Sequence, residues 1–147
     1  MKKSYTFLFA LAAFAACRQQ PQQSTAVATT PSQQINKFSD ATLRELYTLQ
    51  DERKTAELLQ LLNHPNPQYR QEAALAFASV QDTLAIPQLL TSLSDTSATI
   101  RKASAYALGQ VGHKKAQQAM IRHLQQEQRP AVQAELLEAL GKLADSG

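Results

Sequence analysis

The segment QYRQEAALAFASV (68–80) can be laid over TIRKASAYALGQV (99–111) at an offset of 31 residues, and this superposition decides the fold. Tyr69 meets Ile100, Arg70 meets Arg101, Ala74 meets Ala105, Ala76 meets Ala107, Phe77 meets Leu108 and Val80 meets Val111. A third copy, AVQAELLEALGKL (131–143), follows at an offset of 32, placing Val132 on Ile100, Leu140 on Leu108, Gly141 on Gly109 and Leu143 on Val111. A looser first copy, FSDATLRELYTL (38–49), opens the series. Self-similarity at a fixed short period is the mark of a repeat architecture, in which no unit buries its apolar face alone.

The second half of each unit repeats as well. KTAELLQLL (54–62), AIPQLLTSL (85–93) and AQQAMIRHL (116–124) align so that Leu58/Leu89/Met120, Leu59/Leu90/Ile121 and Leu62/Leu93/Leu124 form apolar columns. Both halves carry apolar residues at the spacing of one helical face, so each unit reads as two amphipathic helices, A then B. Asp40 and Asp82 are candidate N-caps of the first A helix and the second B helix. Pro87 falls early in its helix, where a missing N–H matters little. NHPNP (63–67) and SDTS (94–97) are the turns between units. Gly109 and Gly141 are read as points of close helix approach, not as phosphate-cradling loops.

Paired helices with an apolar residue and Arg near the start, A-x-A-L-G-x-V at the end of the first helix, and A-I-P-x-L in the second resemble HEAT repeats. The short period is similar to the bacterial variety also found in phycobilin lyases. The resemblance spans about residues 36 to 145. It implies an all-α fold, an α-solenoid of about three and a half HEAT-like helix pairs. It also implies that the B helices line the face on which such slabs bind other proteins. An irregular helical bundle is the alternative. On the B helices the row opposite the apolar stripe holds Arg53, Glu57 and Gln60, then Gln88 and Thr91, then Lys115, Gln118 and Arg122.

At the N-terminus, Lys2 and Lys3 precede an apolar run, Tyr5 to Ala16, of twelve residues. That is short of the roughly 20 needed to cross a bilayer. With the small residues Ala15 and Ala16 ahead of Cys17, the single cysteine of the chain, the stretch reads as an export signal. It resembles the signal peptide of bacterial lipoproteins, with Phe14 where that family most often has leucine. The resemblance implies cleavage before Cys17, a lipid on its thiol, and, with Arg18 instead of Asp next to it, residence at the outer membrane facing the periplasm. An ordinary secretory signal, with Cys17 incidental, is the alternative. Residues 18–34, RQQPQQSTAVATTPSQQ, hold six glutamines, two prolines and a single charge, too little apolar surface to offset the entropy of ordering. The expected organisation is a signal peptide over 1–16, a lipidated Cys17 with a tether to 34, and a repeat domain over 35–147.

The net charge of +3 includes Lys2 and Lys3; the remainder has 13 basic against 12 acidic side chains, a formal +1. A pI near 9.1 therefore carries little weight for nucleic acid, which is not expected as a partner. The sequence has no HExxH, CxxC, GxSxG, P-loop or GxGxxG, so no metal, cofactor or catalytic residue is assigned. His64 lies in a turn, and His113 and His123 lie near the third B helix. Basic residues concentrate from 101 to 129. Arg101, Lys102, Lys114, Lys115, Gln118 and Arg122 form the candidate docking set for an acidic partner or lipid headgroups, the alternative being a solvated surface. The expectation is a non-catalytic envelope lipoprotein that scaffolds contacts with another envelope protein. An enzyme or accessory subunit, which the lyase resemblance suggests, is the alternative. The last helix, 130–144, carries Leu136, Leu137, Leu140 and Leu143; it is expected to cap the array, with docking of a partner or second copy as the less favoured reading.

Overall fold

The computed structural model describes residues 39–145. The signal segment, Cys17 and the tether therefore lie outside the described residues. Among those described there are seven α-helices and no strand. They are α1 (Ala41–Asp51), α2 (Thr55–Leu61), α3 (Pro67–Val80), α4 (Ile86–Ser92), α5 (Ala98–Val111), α6 (Gln117–Gln126) and α7 (Pro130–Asp145). Helices α4 and α6 are each led in by a 3₁₀ turn, Thr83–Ala85 and Lys114–Ala116. Three helix pairs and a final A helix make an all-α solenoid of three and a half units.

Local chemistry sets where the helices start, except at α2, whose N-cap Lys54 makes no side-chain cap. Asp40 accepts from the Leu43 N–H at 3.0 Å, and Asn66 accepts from the Gln68 N–H at 2.9 Å ahead of Pro67. Asp82 accepts from the Leu84 N–H at 2.9 Å, so it caps the 3₁₀ turn that leads into α4. Its repeat equivalent is His113, whose Nδ1 accepts from the Lys115 N–H at 3.1 Å. The ends repeat too. Helices α3 and α5 both close on a left-handed residue, Gln81 at φ 54° and Gly112 at φ 69°. Glycine enters that conformation without strain, and glutamine does not.

The A helices stack in order, with α3 against α5 and α5 against α7 the most extensive interfaces. Small side chains permit it: Ala73, Ala74, Ala76, Ala105, Ala107 and Ala139 are buried. Gly109 is the tightest point, since a Cβ there would stand 2.8 Å from the Ala139 Cβ. Gly141 differs, because a Cβ there meets nothing within 4 Å; its expected packing role is not what the structure shows. The helix that would cover it, as α7 covers Gly109, is not among the described ones.

Of the B-helix columns, Leu58, Leu89 and Met120 are fully buried. Leu59 and Leu90 are only partly buried, which corrects the expectation that both neighbouring columns are core. Residues i and i+1 are separated by a hundred degrees around a helix, so one of them must turn to the flank. On α7, Leu136 and Leu143 are buried while Leu137 is 59% exposed. The Glu138–Lys142 ion pair at 2.9 Å lies beside it, and the Lys142 ammonium sits 5.4 Å from the Tyr106 ring centre. Leu140 is half-buried, so Leu137 is the one leucine of the strip that faces outward, among Ala134, Glu138 and Gly141.

Two expected outcomes follow from this packing. Gly109→Ala should destabilise by about 1–3 kcal/mol through overpacking against Ala139, whereas Gly141→Ala should stabilise by up to about 1 kcal/mol from helix propensity. Urea unfolding read by circular dichroism checks the opposite signs. By the same method Leu89→Ala should lose about 2–5 kcal/mol by opening a cavity, while the exposed Thr91→Ala should stay within about 0.5 kcal/mol.

Candidate functional site

The charged groups divide into those that hold the array together and those that face outward. The first kind lie along the turns between units. Arg70, in the first turn of α3, sends Nη1 back to the carbonyls of His64 and Pro65 at 2.8 and 3.0 Å. Its Nε and Nη2 grip the Asp95 carboxylate at 2.8 and 3.2 Å. One repeat later Arg101 does the same, with Nη1 on the carbonyls of Asp95 and Thr96 at 2.8 and 3.2 Å. Its Nε and Nη2 hold Glu127 at 2.6 and 3.0 Å. In the last unit Gln133 occupies the arginine column and donates to the Glu127 carbonyl at 2.6 Å. Arg70, Asp95, Arg101, Glu127 and Gln133 thus form one continuous ladder across three turns.

The acids serve a second purpose. Asp95 accepts from the Ser97 N–H at 2.8 Å, and Glu127 accepts from the N–H groups of Gln128 and Arg129, both at 2.9 Å. His64, their counterpart in the first unit, accepts from the Asn66 N–H through Nδ1 at 3.0 Å. The Arg101 guanidinium, bidentate on Glu127, holds that carboxyl down to a pKa of about 2 against the burial that opposes it. Burial pushes Asp95 upward, but Arg70 and the Ser97 N–H outweigh it and its carboxyl stays below the usual range. Asp82 is lowered chiefly by the Thr55 hydroxyl, which donates to it at 2.6 Å.

Beside the ladder opens a cleft of about 430 Å³, lined in part by Asp95, Arg101, His123, Glu127 and Arg129. Burial, helped by Arg122, lowers the pKa of the His123 imidazole. The Asp95 and Glu127 carboxylates and the Arg101 guanidinium in this cleft are already bonded within the ladder. The cleft's remaining polar side chains are those of His123, Ser94, Gln126, Gln128 and Arg129. No group of three His, Cys, Asp or Glu among the described residues is arranged to hold a metal ion.

The structure separates the six candidate docking residues. Arg101 leaves the free cationic set, because its charge is matched by Glu127 and its side chain is 16% exposed. Lys102 lies on the A-helix side, 3.9 Å from the Glu135 carboxylate on α7. Lys114, Lys115, Gln118 and Arg122 remain together, all exposed on the α6 segment. Among the described residues the two lysines and Arg122 form no ion pair. The adjoining unit contributes a residue that charge counting missed: Leu84, equivalent to Lys115, is 70% exposed. Its signal in the sequence was an apolar residue in a column otherwise occupied by Arg53 and Lys115.

If Glu127 supports folding only as a carboxylate, stability should depend on pH in a defined window. Its pKa is lower folded than unfolded, so its contribution is complete above about pH 4.5 and declines as pH falls toward 2. Glu127→Gln should cost about 2 kcal/mol at pH 7 and flatten the loss of stability between pH 5 and 2. Urea titrations across that range test this, and an unchanged slope in the variant would remove the carboxylate from the account.

Two comparisons bear on kinship. No curated protein matches the chain. A family model described as HEAT repeats matches residues 55–141, from the start of α2 to the last turns of α7. With more than half of the chain matched and the helix pairs in place, the protein belongs to the HEAT-repeat family.

Proposed function

We propose that the protein is a non-catalytic cell-envelope lipoprotein whose HEAT array serves as a scaffold for contacts with another envelope protein. One observation carries the reading. The paired charges of the cleft, Asp95, Arg101 and Glu127, are committed to turn caps and the inter-repeat ladder, while the outer row of the B helices is largely exposed and differs from unit to unit. Arg53, Glu57 and Gln60, then Thr91, then Lys115, Gln118 and Arg122 are all exposed in that row. HEAT repeats commonly mediate protein–protein contacts, and a surface that differs from unit to unit over a shared core suits that role. The polar cleft beside His123 is where an enzymatic reading would have to be built, and its paired charges do not favour it.

The anchor completes the reading and rests on sequence. Residues 1–16 resemble a lipoprotein signal, Cys17 would take the lipid, and residues 18–34 would give the domain reach from the membrane. Arg18 favours the outer membrane, with the repeats facing the periplasm. Metabolic labelling with a fatty acid tests it. Wild type should incorporate label, and Cys17→Ser should lose it and move to the soluble fraction. Equal labelling of both would sink the lipid anchor. Crosslinking in cells followed by capture of the tagged chain tests the scaffold itself, which fails if no protein adduct forms.

A further inference from the structure

Taking the scaffold reading as its premise, we infer that the outward face of α4 and α6 is the docking site for an acidic, amphipathic segment of the partner. Lys115, Gln118 and Arg122 stand at i, i+3 and i+7, so they share one side of the α6 segment. The two charges lie about 10 Å apart along the helix. Lys114 adds a third at the 3₁₀ turn. These three cations are exposed and, among the described residues, form no ion pair; Glu127, the acid closest to them in sequence, is held by Arg101. A row of uncompensated positive charge fits a row of carboxylates.

The neighbouring unit fixes the second property of the occupant. Leu84 and Pro87 occupy the positions equivalent to Lys115 and Gln118, one helix spacing away, and both are exposed. Leu84, 70% exposed, is the most exposed large apolar side chain described. Apolar on one row and cationic on the next, the face matches a helix with carboxylates on one side and aliphatic residues on the other. It does not match an extended anionic surface. The first unit places Asp51, Glu52 and Glu57, all exposed, in and beside the row of Arg53. A bilayer or a nucleic-acid duplex lying across the B helices would press phosphates against those carboxylates, whereas a single acidic segment along α4 and α6 avoids them.

The probe is a fluorescently labelled peptide of about 15 residues, glutamates along one helical face and leucines on the adjoining face. Anisotropy with the full chain should show saturable binding. Lys115→Glu with Arg122→Glu, at unchanged helicity, should weaken it about tenfold or more, and raising salt to about 0.5 M should weaken it comparably. Leu84→Asp should also weaken it, and Lys102→Glu on the other side should not. Absence of saturable binding, or equal binding by the charge-reversed variant, overturns the inference. So does sedimentation of the chain with vesicles of about 30% phosphatidylglycerol that depends on the same residues while the peptide fails to compete. The two levels remain separable. If the charge-reversed chain still captures the same crosslinked proteins in cells, the scaffold stands and this site falls.

Discussion

The Arg101 guanidinium reaches two turns at once. One edge closes on the carbonyls that end the preceding unit, and the other closes on the carboxylate of Glu127, which opens the next. A mostly buried guanidinium is costly unless its donors are satisfied, and here the fork geometry satisfies them with partners from two units. Lysine, a point charge without a planar fork, would reach one turn or the other. Arg70 imposes the same requirement one repeat earlier, with Asp95 as its acid. The spacing between successive units is therefore set twice by the same group, while the alanines and Gly109 set how closely the A helices approach.

The ladder changes at α7. An arginine in the position of Gln133 would need a further acid beyond α7 to complete its fork. Glutamine keeps the bond to the Glu127 carbonyl and asks for nothing more. With Leu136 and Leu143 turned inward and the Glu138–Lys142 pair outside, α7 closes the core it joins without leaving an unpaired buried charge.

The helices and their order were legible in the sequence because the repeat constrains them three times over: each apolar column recurs at an offset of 31 or 32, and one accidental leucine does not mislead. The caps at Asp40 and Asp82 followed from residue type. What the sequence left hidden depended on partners far along the chain. Arg101 counted as a free cation because Glu127 lies 26 residues away, although the recurrence of arginine at 70 and 101 with acids at 95 and 127 carried the signal. Gly141 looked like Gly109 because it repeats it, but a close approach needs a second helix, and repetition does not supply one. Leu90 looked like Leu89 because adjacent apolar columns cannot be ranked until the packing angle of the helix is known.

The same division between fixed and free positions bears on function. Columns that face the core or the turns admit few residue types: small side chains between A helices, Arg or Gln at the ladder, a hydrogen-bond acceptor at the turns that open every helix but α2. Columns on the outer row of the B helices have no such constraint, and they vary from Arg53 to Leu84 to Lys115, and from Gln60 to Thr91 to Arg122. Membership in the HEAT family accounts for the first set and is silent on the second, because the fold is compatible with any solvated side chain there. What distinguishes this array from others of the family therefore lies on the outer row. That row turns from mixed charge in the first unit, through an apolar step at Leu84, to unopposed positive charge in the third.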